Sequence, residues 1–102
     1  MLEKEVVWTE TAAKQRREIL RYWTVRNGTT TYAEKLIQLI AKRIKVIQTH
    51  PQAFKNTVYP NTKIAAMGHF SILYQITDNK IIITSFWDNR QDPESLLRII
   101  KI

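Results

Sequence analysis

The sequence predicts an α+β protein of two layers: an antiparallel sheet of about four strands packed on an N-terminal helical hairpin. The expected order is β-α-α-β-β-β with a short C-terminal helix. Three observations carry this. Two segments in the first half repeat their apolar residues with a helical period, and only a short "NGTT" stretch separates them. Beyond residue 62 the apolar period changes to two. Gly28, Pro51, Pro60 and Asn61 punctuate the junctions.

Each element has its own local reason. "EKEVVWT" is rich in β-branched and aromatic residues and reads as a first strand. Thr9 or Thr11 then caps a helix whose apolar face is Ala12, Ile19, Leu20 and Trp23. Asn27 and Gly28 end it, because both tolerate the left-handed conformation of a helix C-terminus. A second helix opens with a capping box, Thr31 and Glu34, and buries Ala33, Ile37, Ile40, Ile44 and Ile47, with Leu36 beside them. Pro51 stops it close to Thr49. The short junction folds the two helices into an antiparallel hairpin.

Residues 50–62 read as a loop, "KIAAM" as a strand, and Gly68 as a break. In "HFSILYQI", Phe70, Ile72, Tyr74 and Ile76 share one face, and His69, Ser71, Leu73 and Gln75 the other. "TDNK" is a tight turn with Asp78 and Asn79 at positions that need positive φ. "IIITSFW" is nearly all apolar, which suggests a central strand covered on both faces. Asp92 caps and Pro93 opens the last helix, "PESLLRIIKI".

With 102 residues the chain fits one small domain, spanning 1–102. The absence of cysteine excludes disulfides and thiolate metal sites, and His50 and His69 are too few for a zinc centre, so no cofactor and no metal is expected. No signal peptide and no apolar run long enough for a bilayer is present, so a cytoplasmic protein without membrane contact is expected. The net charge is +7. Residues 11–49 hold nine basic residues against Glu18 and Glu34, a difference equal to the whole net charge. A basic surface of this kind suits an acidic protein or nucleic acid, or is a solvated helix face.

The basic helical hairpin, the strand "MGHFSILYQI" and the exit "IIITSFWDNRQDP" occur together here. In order, spacing and size the chain resembles the RelE/ParE toxin superfamily, the plasmid stabilisation proteins, and lies nearer its ParE-like branch. That resemblance implies the toxin component of a type II toxin–antitoxin system, neutralised by a cognate antitoxin. A basic, compact toxin suits an acidic segment that folds as it binds, and the sheet edge suits an added strand. RelE-like members cleave messenger RNA in the ribosomal A site, whereas ParE-like members inhibit DNA gyrase. Cleavage by the RNA's own 2′-hydroxyl needs a base, an acid and a cation that stabilises the phosphorane.

Arg90 matches the arginine that follows the last strand in both branches. Ser71 stands where the RelE-like pattern places an arginine, and the tail "QDPESLLRIIKI" lacks the tyrosine or histidine that this pattern expects. The resemblance therefore implies a ParE-like inhibitor that acts by binding, with DNA gyrase as the expected target. The alternatives are a ribosome-dependent endoribonuclease with an altered site, or an inactive interaction module. If the chain is a nuclease, its catalytic candidates are Arg90 and His69, with Tyr74, Lys63 and Lys55 in reserve. Arg90 has a structural reading too, as a partner of Asp88, Asp92 or Glu94; His69 also reads as a partly exposed strand residue, and Tyr74 as core. For partner binding the candidates are Arg16, Arg17, Arg21, Lys42, Arg43 and Lys45.

Overall fold

The computed structural model describes residues 3–90 and Arg98. The elements are β1 (Glu5–Trp8), α1 (Glu10–Asn27), α2 (Thr31–Thr49), β2 (Lys55–Asn56), β3 (Thr62–Met67), β4 (Phe70–Ile76) and β5 (Lys80–Asp88), with one 3-10 turn at Pro51–Ala53. The expected Asp92 cap and the helix from Pro93 lie outside the described residues.

The helical hairpin packs on a single sheet, as the apolar patterns require. The sheet, however, has five strands in the order β1-β5-β4-β3-β2, and it is mixed: β1 pairs with β5 in parallel, all other pairs being antiparallel. The fifth strand is β2, two residues from a segment read as loop. Lys and Asn carry no strand pattern, and pairing with Ile64 and Lys63 alone makes them one.

Helix α1 begins as expected. The Thr9 hydroxyl accepts the Ala12 N–H at 3.1 Å, and Gly28 closes the helix at φ 71°, its N–H on Thr24. The expected capping box of α2 does not form. The N-cap is Thr30, at φ −89° and ψ −2°, with no side-chain cap. A cap hydroxyl reaches back only from an extended residue, and the tight junction delivers the chain already near-helical. The buried stripe of α2 is Ala33, Leu36, Ile40 and Ile47. Ile37 is 51% exposed and Ile44 half-buried, so Leu36 takes the core place expected of Ile37. The helix is rotated enough to turn Ile37 and Ile44 to its flank.

On β4 the alternation holds. Phe70, Ile72 and Tyr74 join the core beneath the helices, while Leu73 joins Ile64 and Trp87 on the opposite face. Burial pushes the Tyr74 hydroxyl well above the ordinary phenol range, and it donates to the Pro51 carbonyl at 2.7 Å. The link Gly68–His69 turns the chain between Met67 and Phe70, with Gly68 at φ 64°. The turn at Asp78 and Asn79 differs from expectation. Among the described non-glycine residues only Asn61 has positive φ. The turn closes instead through Thr77, whose N–H bonds the Lys80 carbonyl and whose hydroxyl accepts the Lys80 N–H.

Strand β5 carries an irregularity that the sequence conceals. Tyr74 faces Ile83 and Leu73 faces Ser85, so Thr84 has no opposite number. The extra residue shifts the phase: Ile81 and Ile83 are buried before it, Phe86 and Asp88 after it. The second face of β5, with Ile82, Thr84 and Trp87, is only half-buried, so this strand is not covered on both faces. Strand β1 ends opposite Ile83, which leaves the far half of that edge without a strand. Gln15 of α1 covers it: its side-chain oxygen accepts the Phe86 N–H at 2.8 Å and the Ser85 hydroxyl at 3.1 Å.

Replacing Gln15 with Ala strands a sheet N–H, and we expect a loss of about 1–3 kcal/mol in denaturant unfolding. Gln15→Glu keeps the acceptor and should recover most of it. Equal losses in the two variants would show that Gln15 contributes packing alone.

Candidate functional site

The end of β5 meets the start of β4 beneath the junction of the two helices. The register pairs Phe70 with Asp88, so His69 and Asn89 are neighbours, and the Asn89 N–H bonds the His69 carbonyl at 2.6 Å. Ser71, fully buried, donates its hydroxyl to the Asn89 side-chain oxygen at 2.8 Å. The sheet thus brings His69 and Arg90 to one rim, as a shared site would require.

Arg90 is not unengaged at that rim. Its backbone N–H and its Nε bond one oxygen of Asp88, both at 2.9 Å, and Nη2 bonds the other at 2.8 Å. Its guanidinium lies 4.6 Å from the centre of the Trp23 ring and 5.5 Å from that of Phe70. Tyr32 sits edge-on to Trp23 at 5.2 Å, near enough to Arg90 to favour the charged guanidinium. Asp88 is buried, which raises its carboxyl pKa. The hydrogen bonds and charge of Arg90, aided by His69, more than offset this, so the carboxyl titrates below the ordinary range. The arginine fork that would grip a phosphate is therefore filled by a carboxylate of the same chain.

Of the reserve candidates, Lys63 and Tyr74 are engaged in the fold through their side chains and Lys55 is not. Lys63 bonds the Phe54 carbonyl and the Asn56 side chain, Tyr74 is core, and Lys55 is exposed on β2. Among the described residues no three of His, Cys, Asp and Glu gather closely enough to hold a metal ion.

The six basic candidates for partner binding do not form one patch. Arg16 and Arg17 border a groove between the helices, floored by Leu20, Ile37, Ala41 and Ile44. Arg21 is exposed one turn further along α1. Arg43 precedes Ile44 by one residue, about 100° round the helix, and so points away from this groove, as does Lys42. Lys45 pairs with Glu3 at 2.7 Å, an exposed pair of the kind that contributes about 1 kcal/mol or less.

Two features of the site escaped the sequence. The aromatic box of Trp23, Tyr32 and Phe70 around Arg90 is one. Its signal was the placement of Trp23 and Tyr32 on either side of the helix junction, which puts both at one end of the hairpin. The other is the groove floor, hidden because Ile37 and Ile44 fit a core stripe equally well.

The family described as the ParE toxin of type II toxin–antitoxin systems, parDE, matches residues 6–93. Among solved structures, the chromosomal ParDE toxin–antitoxin system from P. aeruginosa contains a chain of the same fold. It superposes with a TM-score of 0.72 at 21% identity, over 84% of this chain and 96% of that one. A chain of the toxin–antitoxin complex RelBE2 from Mycobacterium tuberculosis is more distant: TM-score 0.59 and 14% identity, over 85% of this chain and 99% of that one. No curated protein matches the sequence.

Removing the Arg90 side chain leaves Asp88 buried without its counter-charge. We expect Arg90→Ala to cost about 1–3 kcal/mol at neutral pH, below the cost for a fully buried pair because the guanidinium is partly in water. The pH dependence has a definite sign. The native carboxyl titrates below the ordinary 3.8, so the pair's contribution is complete above that value and fades as pH falls through the native one. The gap between wild type and Arg90→Ala should therefore close below about pH 4. A gap that persists unchanged into acid would assign Arg90's role to its stacking on Trp23 and Phe70.

Proposed function

The chain belongs to the ParE toxin family of type II toxin–antitoxin systems, and from that premise we propose that it acts by binding a protein target, DNA gyrase, and is neutralised by a cognate antitoxin. The observation that carries the non-catalytic reading is the state of the two positions where an RNA-cleaving relative needs cations. Ser71 is a buried serine held by Asn89, and Arg90 is chelated by Asp88. Ser71 has no charge to offer a phosphorane, and Arg90 can offer its own only by leaving Asp88.

The antitoxin reading rests on the helical layer. The groove between α1 and α2 is apolar along its floor and carries Arg16 and Arg17 at its border. An amphipathic segment fits it by placing apolar side chains on Ile37 and Ile44 and carboxylates against the arginines. The solved chains of this fold named above come from toxin–antitoxin assemblies, which supports the same partner class.

A second reading has one specific observation in its favour: His69 and Arg90 share a rim. It makes the chain a ribosome-dependent endoribonuclease, with His69 as acid or base and Arg90 released from Asp88 on binding RNA.

Purified protein should inhibit gyrase-catalysed supercoiling at about micromolar concentration, as a moderate protein–protein affinity requires. No inhibition at that level would remove gyrase as the target. Ile37→Glu should weaken the toxin–antitoxin complex about tenfold or more in co-purification or calorimetry, roughly the effect of 1.4 kcal/mol. Undiminished binding would move the antitoxin off the helical groove.

A further inference from the structure

The outer face of α1 carries Lys14 and Arg21, which neither the rim of the sheet nor the helical groove accounts for, and Arg17, which the groove shares. Lys14, Arg17 and Arg21 stand three and four residues apart, so they line one exposed face. Lys14, Arg17 and Arg21 make no ion pair with the described residues. Glu10 and Glu18 stand four residues either side of Lys14 on this same face, without pairing to the cations, so the face holds three positive charges against two negative.

Trp8 stands at the start of this face. It is half-buried, with the Arg16 guanidinium 4.3 Å from its ring centre and Phe86 edge-on at 6.3 Å. Its remaining surface borders a cleft shared with Thr9, Glu10, Ala13, Lys14 and Arg17, so the cleft holds one carboxylate beside its two cations. An aromatic ring held firm on one side and open to a cleft, with cations beyond it, offers what an unstacked base and its flanking phosphates require.

We propose that this face of α1 binds single-stranded nucleic acid, with phosphates on Lys14, Arg17 and Arg21 and an unpaired base against Trp8. An acidic protein is the competing class for any basic surface, and the composition of this one disfavours it. Tyr22 and Val25 are exposed beside Arg21 at the far end of this face, but the end at Trp8, Lys14 and Arg17 has no exposed large apolar residue of the kind that centres a stable protein interface. The face lies apart from the rim of His69 and Arg90, and the proposal holds whichever target the toxin inhibits. Because Arg17 also borders the helical groove, an antitoxin seated there would cover part of the nucleic-acid face.

The experiment is fluorescence anisotropy of the full chain with a labelled single strand, its duplex, an abasic strand of equal length, and polyglutamate as the acidic competitor. Three phosphate contacts to a single strand give a slope of log affinity against log salt near −2, so raising salt from about 50 to 200 mM should weaken binding about 20-fold. The triple variant K14A/R17A/R21A, checked for an unchanged melting temperature, should bind weakly with an almost flat salt dependence. R17K/R21K, which keeps the charge, should retain the wild-type slope. The abasic strand, with the same phosphates and no bases to stack, should bind about tenfold more weakly. Four results would each overturn the proposal: no binding at the lower salt, an unchanged slope in the triple variant, equal affinity for normal and abasic strands, or tighter binding to duplex or polyglutamate than to the single strand.

Discussion

One unpaired residue sets the phase of everything that follows it in β5. Before Thr84 the odd-numbered residues Ile81 and Ile83 face the helices; after it Phe86 and Asp88 do. A strict alternation would have turned Phe86 to the half-exposed face and sent the Asp88 carboxylate toward water. The bulge instead seals the core with Phe86, stacked on Phe70 at 5.6 Å, and carries a carboxylate beneath the helix junction. A carboxylate delivered to a buried place demands a counter-charge. Arg90, two residues later, supplies it, and Trp23, Tyr32 and Phe70 surround the guanidinium. The rim of the sheet is thus a consequence of strand register.

The same constraint explains Gln15. With β1 ending at Trp8, the bulged half of β5 has no neighbour on that edge, and α1 passes along it. An amide side chain supplies the acceptor that a strand would have given. It also ties helix α1 to the part of β5 that presents Asp88. The helical hairpin, the bulge and the rim therefore hold one another in place, and a toxin built this way keeps its arginine committed to the fold. On the outer part of the helical layer Ile37 and Arg17 are exposed and Arg16 half-buried.

Much of this architecture was legible in the sequence, for physical reasons that differ by element. Thr9, Gly28 and Pro51 act locally, through hydrogen bonds and φ preferences that need no tertiary context, and the helix bounds follow from them. The alternation in "HFSILYQI" survives because β4 is regular throughout. What was hidden depends on partners distant in sequence. The parallel pairing of β1 with β5 involves residues more than 70 apart, and β2 exists because β3 lies beside it. The bulge at Thr84 leaves no mark, since "IIITSFW" reads as apolar in either phase. The α2 cap was misplaced by one residue because the tightness of the junction outweighs the Thr-x-x-Glu pattern. At the site, Arg90 was visible as a candidate, as was Asp88 as one of its possible partners. The aromatic box and the depth of the carboxylate needed the fold.

We propose that this ParE-family chain works by occupying a target and not by cutting RNA, a reading supported by Arg90 being held by Asp88 and by the uncharged Ser71 at the second position. The most direct test is to induce the chain in cells, follow growth, and map RNA 5′ ends across the messenger pool. Growth arrest with no new codon-phased ends is the result this account predicts. New ends positioned by codon, lost in Arg90→Ala and His69→Ala, would contradict it.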